Sequence, residues 1–156
     1  GKSLKALFAG RHVNIQEMML KLKRVADEEG LLFGERTMTY NSRLAQELGK
    51  WAEVEGRGEA LHTAVFKAYF AEGRNIARET VLADVAASAG LDPEMAGSII
   101  QNRTFQDAVD NDWRRAFQLG ITAVPTFLMD GRRLVGAQPY HALEKFVSAE
   151  GIPRFP

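Results

Sequence analysis

One stretch near the C-terminal end constrains this chain more than any other. Thr126-Phe127-Leu128-Met129 is a short apolar run, and Arg132 to Val135 reads as a return strand. Between them, Asp130-Gly131 is a two-residue hairpin turn of the type whose central positions favour positive φ. The apolar run does not alternate as an edge strand would, which suits a strand buried on both faces inside a sheet. Two strands do not make a stable sheet by themselves. The sequence therefore asks for a further strand beside Thr126–Met129. Residues 32–38, Leu-Phe-Gly-Glu-Arg-Thr-Met, are the only internal candidate, and a poor one. Without a neighbour, 126–129 leaves backbone groups unpaired and apolar side chains bare. The expectation is self-association through Thr126–Met129, element swapping, or burial under the chain's own helices, with self-association favoured.

Everything before Gly120 reads as helix after helix. Asn14 with Glu17 forms a capping-box pattern, and Ile15, Met18, Met19, Leu22, Val25 and Ala26 follow at helical spacing until Gly30. Residues 31–40 lack that period and read as a connector. Asn41 or Ser42 can cap a second helix with Leu44, Leu48, Trp51 and Ala52 on one face, broken by Gly56 and Gly58. A third carries Leu61, Val65, Phe66, Tyr69 and Phe70 and stops at Gly73. Val81, Leu82, Val85 and Ala86 mark a fourth, closed by Gly90. Asp92-Pro93 is an N-cap followed by proline at the first helical position. Thr104 with Asp107 repeats the capping pattern ahead of Phe105, Ala108, Val109, Trp113, Ala116 and Phe117. Pro139 opens a last helix with Leu143, Phe146 and Val147, and the tail from Gly151 to Pro156 reads as irregular. Phe66, Tyr69, Phe70, Trp113 and Phe117 sit at helical spacing and are expected in the core. The domain reading is a helical subdomain, 1–119, followed by a strand–strand–helix segment, 120–156.

Composition removes several functions. Lys plus Arg equals Asp plus Glu at 20 each, so the cation excess that nucleic-acid binding requires is missing. No apolar run approaches a bilayer span. There is no cysteine, hence no disulfide framework and no thiolate metal site. His12, His62 and His141 are too far apart for a known ligand motif. Asp107, Asp110 and Asp112 lack the glycine and glutamate of a calcium loop and read as a solvated face. Neither a metal nor a cofactor is expected.

Gly120 through Pro139 nevertheless resembles the closing part of the DsbA-like thioredoxin fold, and within it the FrnE-like branch of predicted dithiol–disulfide isomerases. Leu4-Lys5-Ala6-Leu7-Phe8, the stretch from Tyr40-Asn41-Ser42 to Trp51-Ala52, and Ala64 through Ile76 resemble other family phrases in the same order. Gln46 departs from the histidine expected in close relatives. The resemblance implies a mainly α fold with a short C-terminal β-hairpin. It would be the helical insertion plus the strand–strand–helix part of a DsbA-like thioredoxin fold, lacking the N-terminal strand–helix–strand that carries Cys-X-X-Cys. It implies protein or peptide thiol/disulfide substrates, a cytoplasmic setting, and a chain that is inert by itself because it has no thiol. The resemblance also makes Pro125 the cis-proline facing the thiol site, with Val124, Pro125 and Thr126 as substrate-binding residues. On the residues alone, a trans proline bounding a strand is the more frequent form, since cis occupies ~5–6% of X–Pro bonds. Two alternatives stay open. One is a glutathione-dependent relative such as 2-hydroxychromene-2-carboxylate isomerase or a kappa-class transferase. The other is a non-catalytic peptide-binding module built on the Val124–Pro125 edge.

Overall fold

The computed structural model describes residues 1–148, so the expectation for the tail, 151–156, lies outside the described residues. The chain divides into two compact units, Gly1–Asp110 and the residues from Asn111 onward.

The first unit is helical. A two-residue strand β1 (Lys2–Ser3) leads into a single turn, α1 (Leu4–Leu7), capped by the Ser3 side chain. Next come α2 (Ile15–Glu28), the two-residue strand β2 (Met38–Thr39), α3 (Arg43–Val54) and α4 (Gly58–Phe66). α4 runs on into a π-helical turn, Lys67–Ala71. Helices α5 (Glu79–Ser88) and α6 (Pro93–Gln101) follow. Residues 32–38 supply no partner for the C-terminal hairpin; β2 instead pairs antiparallel with β1, Lys2 opposite Thr39.

The core of this unit lies among α3, α4, α5 and α6. Leu48, Ala52, Leu61, Leu82, Ala86 and Ala96 have no exposed surface. All but Ala96 belong to the apolar stripes read from the sequence, and burying each large aliphatic side chain contributes about 1.5–3 kcal/mol. By contrast, α2 buries only Ala26, and Leu22 and Val25 of its apolar stripe remain exposed.

Several helix ends match their sequence signals. Asn14 accepts from the Glu17 N–H at 3.2 Å, and Asp92 accepts from the Glu94 and Met95 N–H groups. Others differ. Ser42 occupies the N-cap position of α3 without a side-chain cap bond, while Asn41 accepts from the Arg43 N–H at 2.8 Å. Gly56, at φ +68°, ends α3, but Gly58 is the first residue of α4 rather than a breaker.

Thr104 is not a helix cap. Its N–H bonds to the Ile99 carbonyl, and the Arg103 N–H bonds to that of Ile100, which is the paired closure of a Schellman motif at the end of α6. Arg103 therefore holds the left-handed position, φ +52°, that glycine ordinarily takes.

Helix α7 (Gln106–Gln118) spans the division between the units. The second unit continues with the antiparallel hairpin β3 (Thr126–Met129) and β4 (Arg132–Val135), then α8 (Tyr140–Ser148). Thr126 pairs with Val135 and Met129 with Arg132 across the Asp130-Gly131 turn, whose φ values are +47° and +75°.

β3 has β4 as its one strand neighbour among the described residues. The strand expected to be buried on both faces is open: Phe127 is 37% and Leu128 41% exposed. The core expectation also fails for Phe66, Trp113 and Phe117, all exposed, while Tyr69 and Phe70 are half-buried. Helical spacing tells which face of a helix favours burial, not whether another element lies against it. Among the described residues no helix is long and apolar enough to cross a membrane.

Candidate functional site

The Pro125 loop is built by the elements on either side of it. α7 ends in a Schellman closure in which the Ile121 N–H bonds to Ala116 and the Gly120 N–H to Phe117, with Gly120 at φ +65°. The Gly120 carbonyl then accepts from Arg133 Nη1 at 2.6 Å, which ties the start of the loop to β4. Thr126 Oγ1 donates to the Ala123 carbonyl at 2.6 Å, and the Pro125 carbonyl accepts from the Gly136 N–H at 2.8 Å.

The Val124–Pro125 peptide bond is cis. Val124 is 88% exposed, and among the described residues its N–H and C=O make no hydrogen bond. The three residues singled out in the sequence thus share one loop but differ in what they offer. Thr126 spends its hydroxyl holding the loop closed, the Pro125 carbonyl is occupied, and Val124 presents one free donor and one free acceptor. That pair can receive an extended peptide as a strand would. Residues 120–126 include no Cys, His, Asp, Glu or Lys.

The histidines and aspartates remain apart, and no group of His, Cys, Asp or Glu among the described residues could hold a metal. Asp110 departs from the solvated-face reading: it is half-buried and pairs with Arg43 Nη1 at 2.7 Å.

Arg43 belongs to a concentrated charge cluster among the described residues that the sequence analysis does not anticipate. Glu47 is fully buried, and its carboxylate accepts from Arg43 Nε at 2.6 Å and from Arg103 Nε and Nη2 at 2.8 and 2.6 Å. Arg43 Nη2 also donates to the Gln106 carbonyl, so one guanidinium joins α3 to the first turn of α7. The hydrogen bonds from Arg103 and then Arg43 hold the Glu47 carboxyl below its ordinary range, overcoming the opposing effect of burial. Arg103 is raised chiefly by its hydrogen bonds to Glu47, and Arg43 by those to Asp110 and then Glu47. A signal did exist in the sequence. Glu47 lies three residues from Leu44 and four from Trp51, within the apolar stripe of α3, where a carboxylate needs a partner.

A mostly helical chain with a small C-terminal hairpin and closing helix has the architecture of DsbA-like thioredoxin-fold proteins. The chain belongs to the DSBA-like thioredoxin domain family, whose model matches residues 2–148. It is 34% identical over 108 residues to the uncharacterized protein YwbO of Bacillus subtilis (strain 168), an alignment covering 69% of this chain and 54% of YwbO. The chain thus spans about half the length of that curated relative. Among solved structures it resembles a probable DsbA oxidoreductase from Streptomyces coelicolor, with a TM-score of 0.84 and 28% identity over 99% of this chain and 70% of that one. It also resembles a 2-hydroxychromene-2-carboxylate isomerase, with a TM-score of 0.73 and 22% identity over 97% of this chain and 70% of that one; at that identity the likeness is one of fold.

Proposed function

We propose that these residues form the substrate-facing part of a thiol–disulfide oxidoreductase or isomerase of the FrnE-like branch, acting on protein or peptide thiols and disulfides. The observation that carries this reading is the Val124 N–H and C=O pair, exposed and unbonded beside Pro125 in a DSBA-family chain. In the exchange, a thiolate attacks one sulfur of a disulfide, a new S–S bond forms, and the other sulfur leaves as thiolate. With no cysteine in the 156 residues, the attacking thiolate comes from outside this sequence. These residues hold the peptide while the exchange proceeds. The bare apolar side chains of β3, Phe127 and Leu128, support self-association of the chain through Thr126–Met129.

Titration of the labelled chain with an extended, disulfide-containing peptide tests the reading. The expected result is amide shifts confined to Val124, Thr126 and their neighbours, weakened by Val124→Pro, which deletes the N–H donor. Insulin reduction with dithiothreitol should run at the uncatalysed rate in the presence of this chain alone. Turnover by the chain, or peptide shifts that avoid the loop, would overturn the proposal.

A further inference from the structure

The register of the hairpin decides which backbone groups of β3 are already used. In an antiparallel pair, opposed residues alternate. One couple exchanges both hydrogen bonds, and the next turns its N–H and C=O groups outward. The Gly136 N–H bonds to the Pro125 carbonyl at 2.8 Å, Thr126 lies opposite Val135, and Phe127 lies opposite Leu134. Phe127 and Met129 therefore bond toward β4, while Thr126 and Leu128 turn their N–H and C=O to the other edge. No strand lies along that edge among the described residues. β3 thus offers two donors and two acceptors in a row, directly after the exposed Val124 pair.

Nothing blunts this edge. Such edges are ordinarily guarded by charge, proline or a bulge. Thr126-Phe127-Leu128-Met129 holds no charged residue and no proline, and its register with β4 is unbroken. Phe127 and Leu128 are both exposed, on opposite faces of the strand. The chain carries no net charge, so copies of it do not repel one another.

The occupant that fits is the same strand of a second copy. Thr126 and Leu128 are two residues apart, so a copy of β3 can lie antiparallel about a two-fold axis at Phe127. Thr126 then faces the second copy's Leu128, and Leu128 faces its Thr126. Every outward N–H and C=O of both strands finds a partner, and the two hairpins become one sheet. A lone hairpin is marginal, and a wider sheet is not. A free peptide could use the same edge, but it must first be ordered, whereas β4 already holds β3 extended. This register also carries the second copy's Asp130-Gly131 turn to Val124.

We propose that β3 is a self-pairing edge and that its pairing closes the Val124 peptide site. The masking rests on Val124 receiving peptide, as proposed above; the pairing stands without it.

Light scattering and amide hydrogen exchange on the full chain, from dilute to concentrated, test the pairing. The expected result is a dimer in which the Thr126 and Leu128 amides gain protection together. The Phe127 and Met129 amides are protected by β4 at every concentration. Leu128→Pro deletes an outward donor and spares the β4 ladder, so it should stay monomeric. A monomer throughout, a dimer with Thr126 and Leu128 exchange unchanged, or a Leu128→Pro variant that still dimerises would each overturn the proposal. Should Leu128→Pro lose the Phe127 protection, Phe127→Glu makes the same test by setting like charges against each other at the axis. Undiminished dimerisation of Phe127→Glu would also overturn the proposal. An extended, disulfide-containing peptide then tests the masking. With about nine-tenths of the chain paired, its apparent affinity should fall about tenfold from that of the dilute chain. Equal affinity in the two would overturn the masking. A peptide that leaves Val124 unshifted even in the dilute chain would overturn the peptide reading itself, masking included, and the exchange pattern would still decide the pairing.

Discussion

Replacing Glu47 tests whether the buried charge cluster holds the helical unit together. The carboxylate has no exposed surface and accepts three hydrogen bonds from two guanidinium groups. Glu47→Ala removes the acceptors of all three hydrogen bonds and leaves Arg43 and Arg103 facing one another. Breaking a buried pair by deleting one partner costs about 3–5 kcal/mol. Here the low end applies, since the Arg103 side chain is 41% exposed and can rehydrate, while that of Arg43 is only 15% exposed. The expected loss is about 3 kcal/mol, a large part of a domain stability of roughly 5–15 kcal/mol. At a slope of about 2 kcal/mol per molar urea the midpoint falls by roughly 1.5 M. Trp51 fluorescence in a Trp113→Phe background reads the first unit by itself. A Glu47→Ala midpoint within about 0.3 M of the parent's, at that same slope, would refute the argument.

The same group sets a pH dependence. Its folded pKa lies below the ordinary 4.5, so the unfolded chain binds the proton first as pH falls. The stabilisation is therefore fully present above about pH 4.5 and declines below it, toward the lowered folded value. Glu47→Gln should be less stable at neutral pH and should flatten this part of the acid limb. An acid limb of unchanged shape in Glu47→Gln would show that other carboxylates govern it.

Two further outcomes follow from single contacts. A Cβ on Gly34 would lie inside the contact radius of the Ala71 carbonyl oxygen, so Gly34→Ala should destabilise by about 2 kcal/mol, as overpacking does, in a thermal melt followed by circular dichroism. If β3 drives association, Phe127→Lys with Leu128→Lys should shift the chain toward monomer in light scattering at high concentration; an unchanged mass would place the contact elsewhere.

The parts of the fold that the sequence disclosed are those governed by neighbours in the chain. Asn14 and Asp92 cap their helices through residues two or three positions on, and Asp130-Gly131 makes its turn from two backbone conformations. The Val124–Pro125–Thr126 loop was legible as a family phrase rather than through such local physics. What was hidden depends on residues distant in sequence. Arg103 takes a left-handed cap that glycine would fill more easily, and 56 residues separate it from the carboxylate it grips.

The exposure of Phe117 and Leu128 belongs to the same class of hidden fact. A sequence records the burial an element favours, and only the structure shows whether something covers it. The proposed peptide site lies where that requirement is unmet. At Val124 a backbone donor and acceptor stand exposed without a strand to pair them, so the peptide that fits there is one that arrives extended.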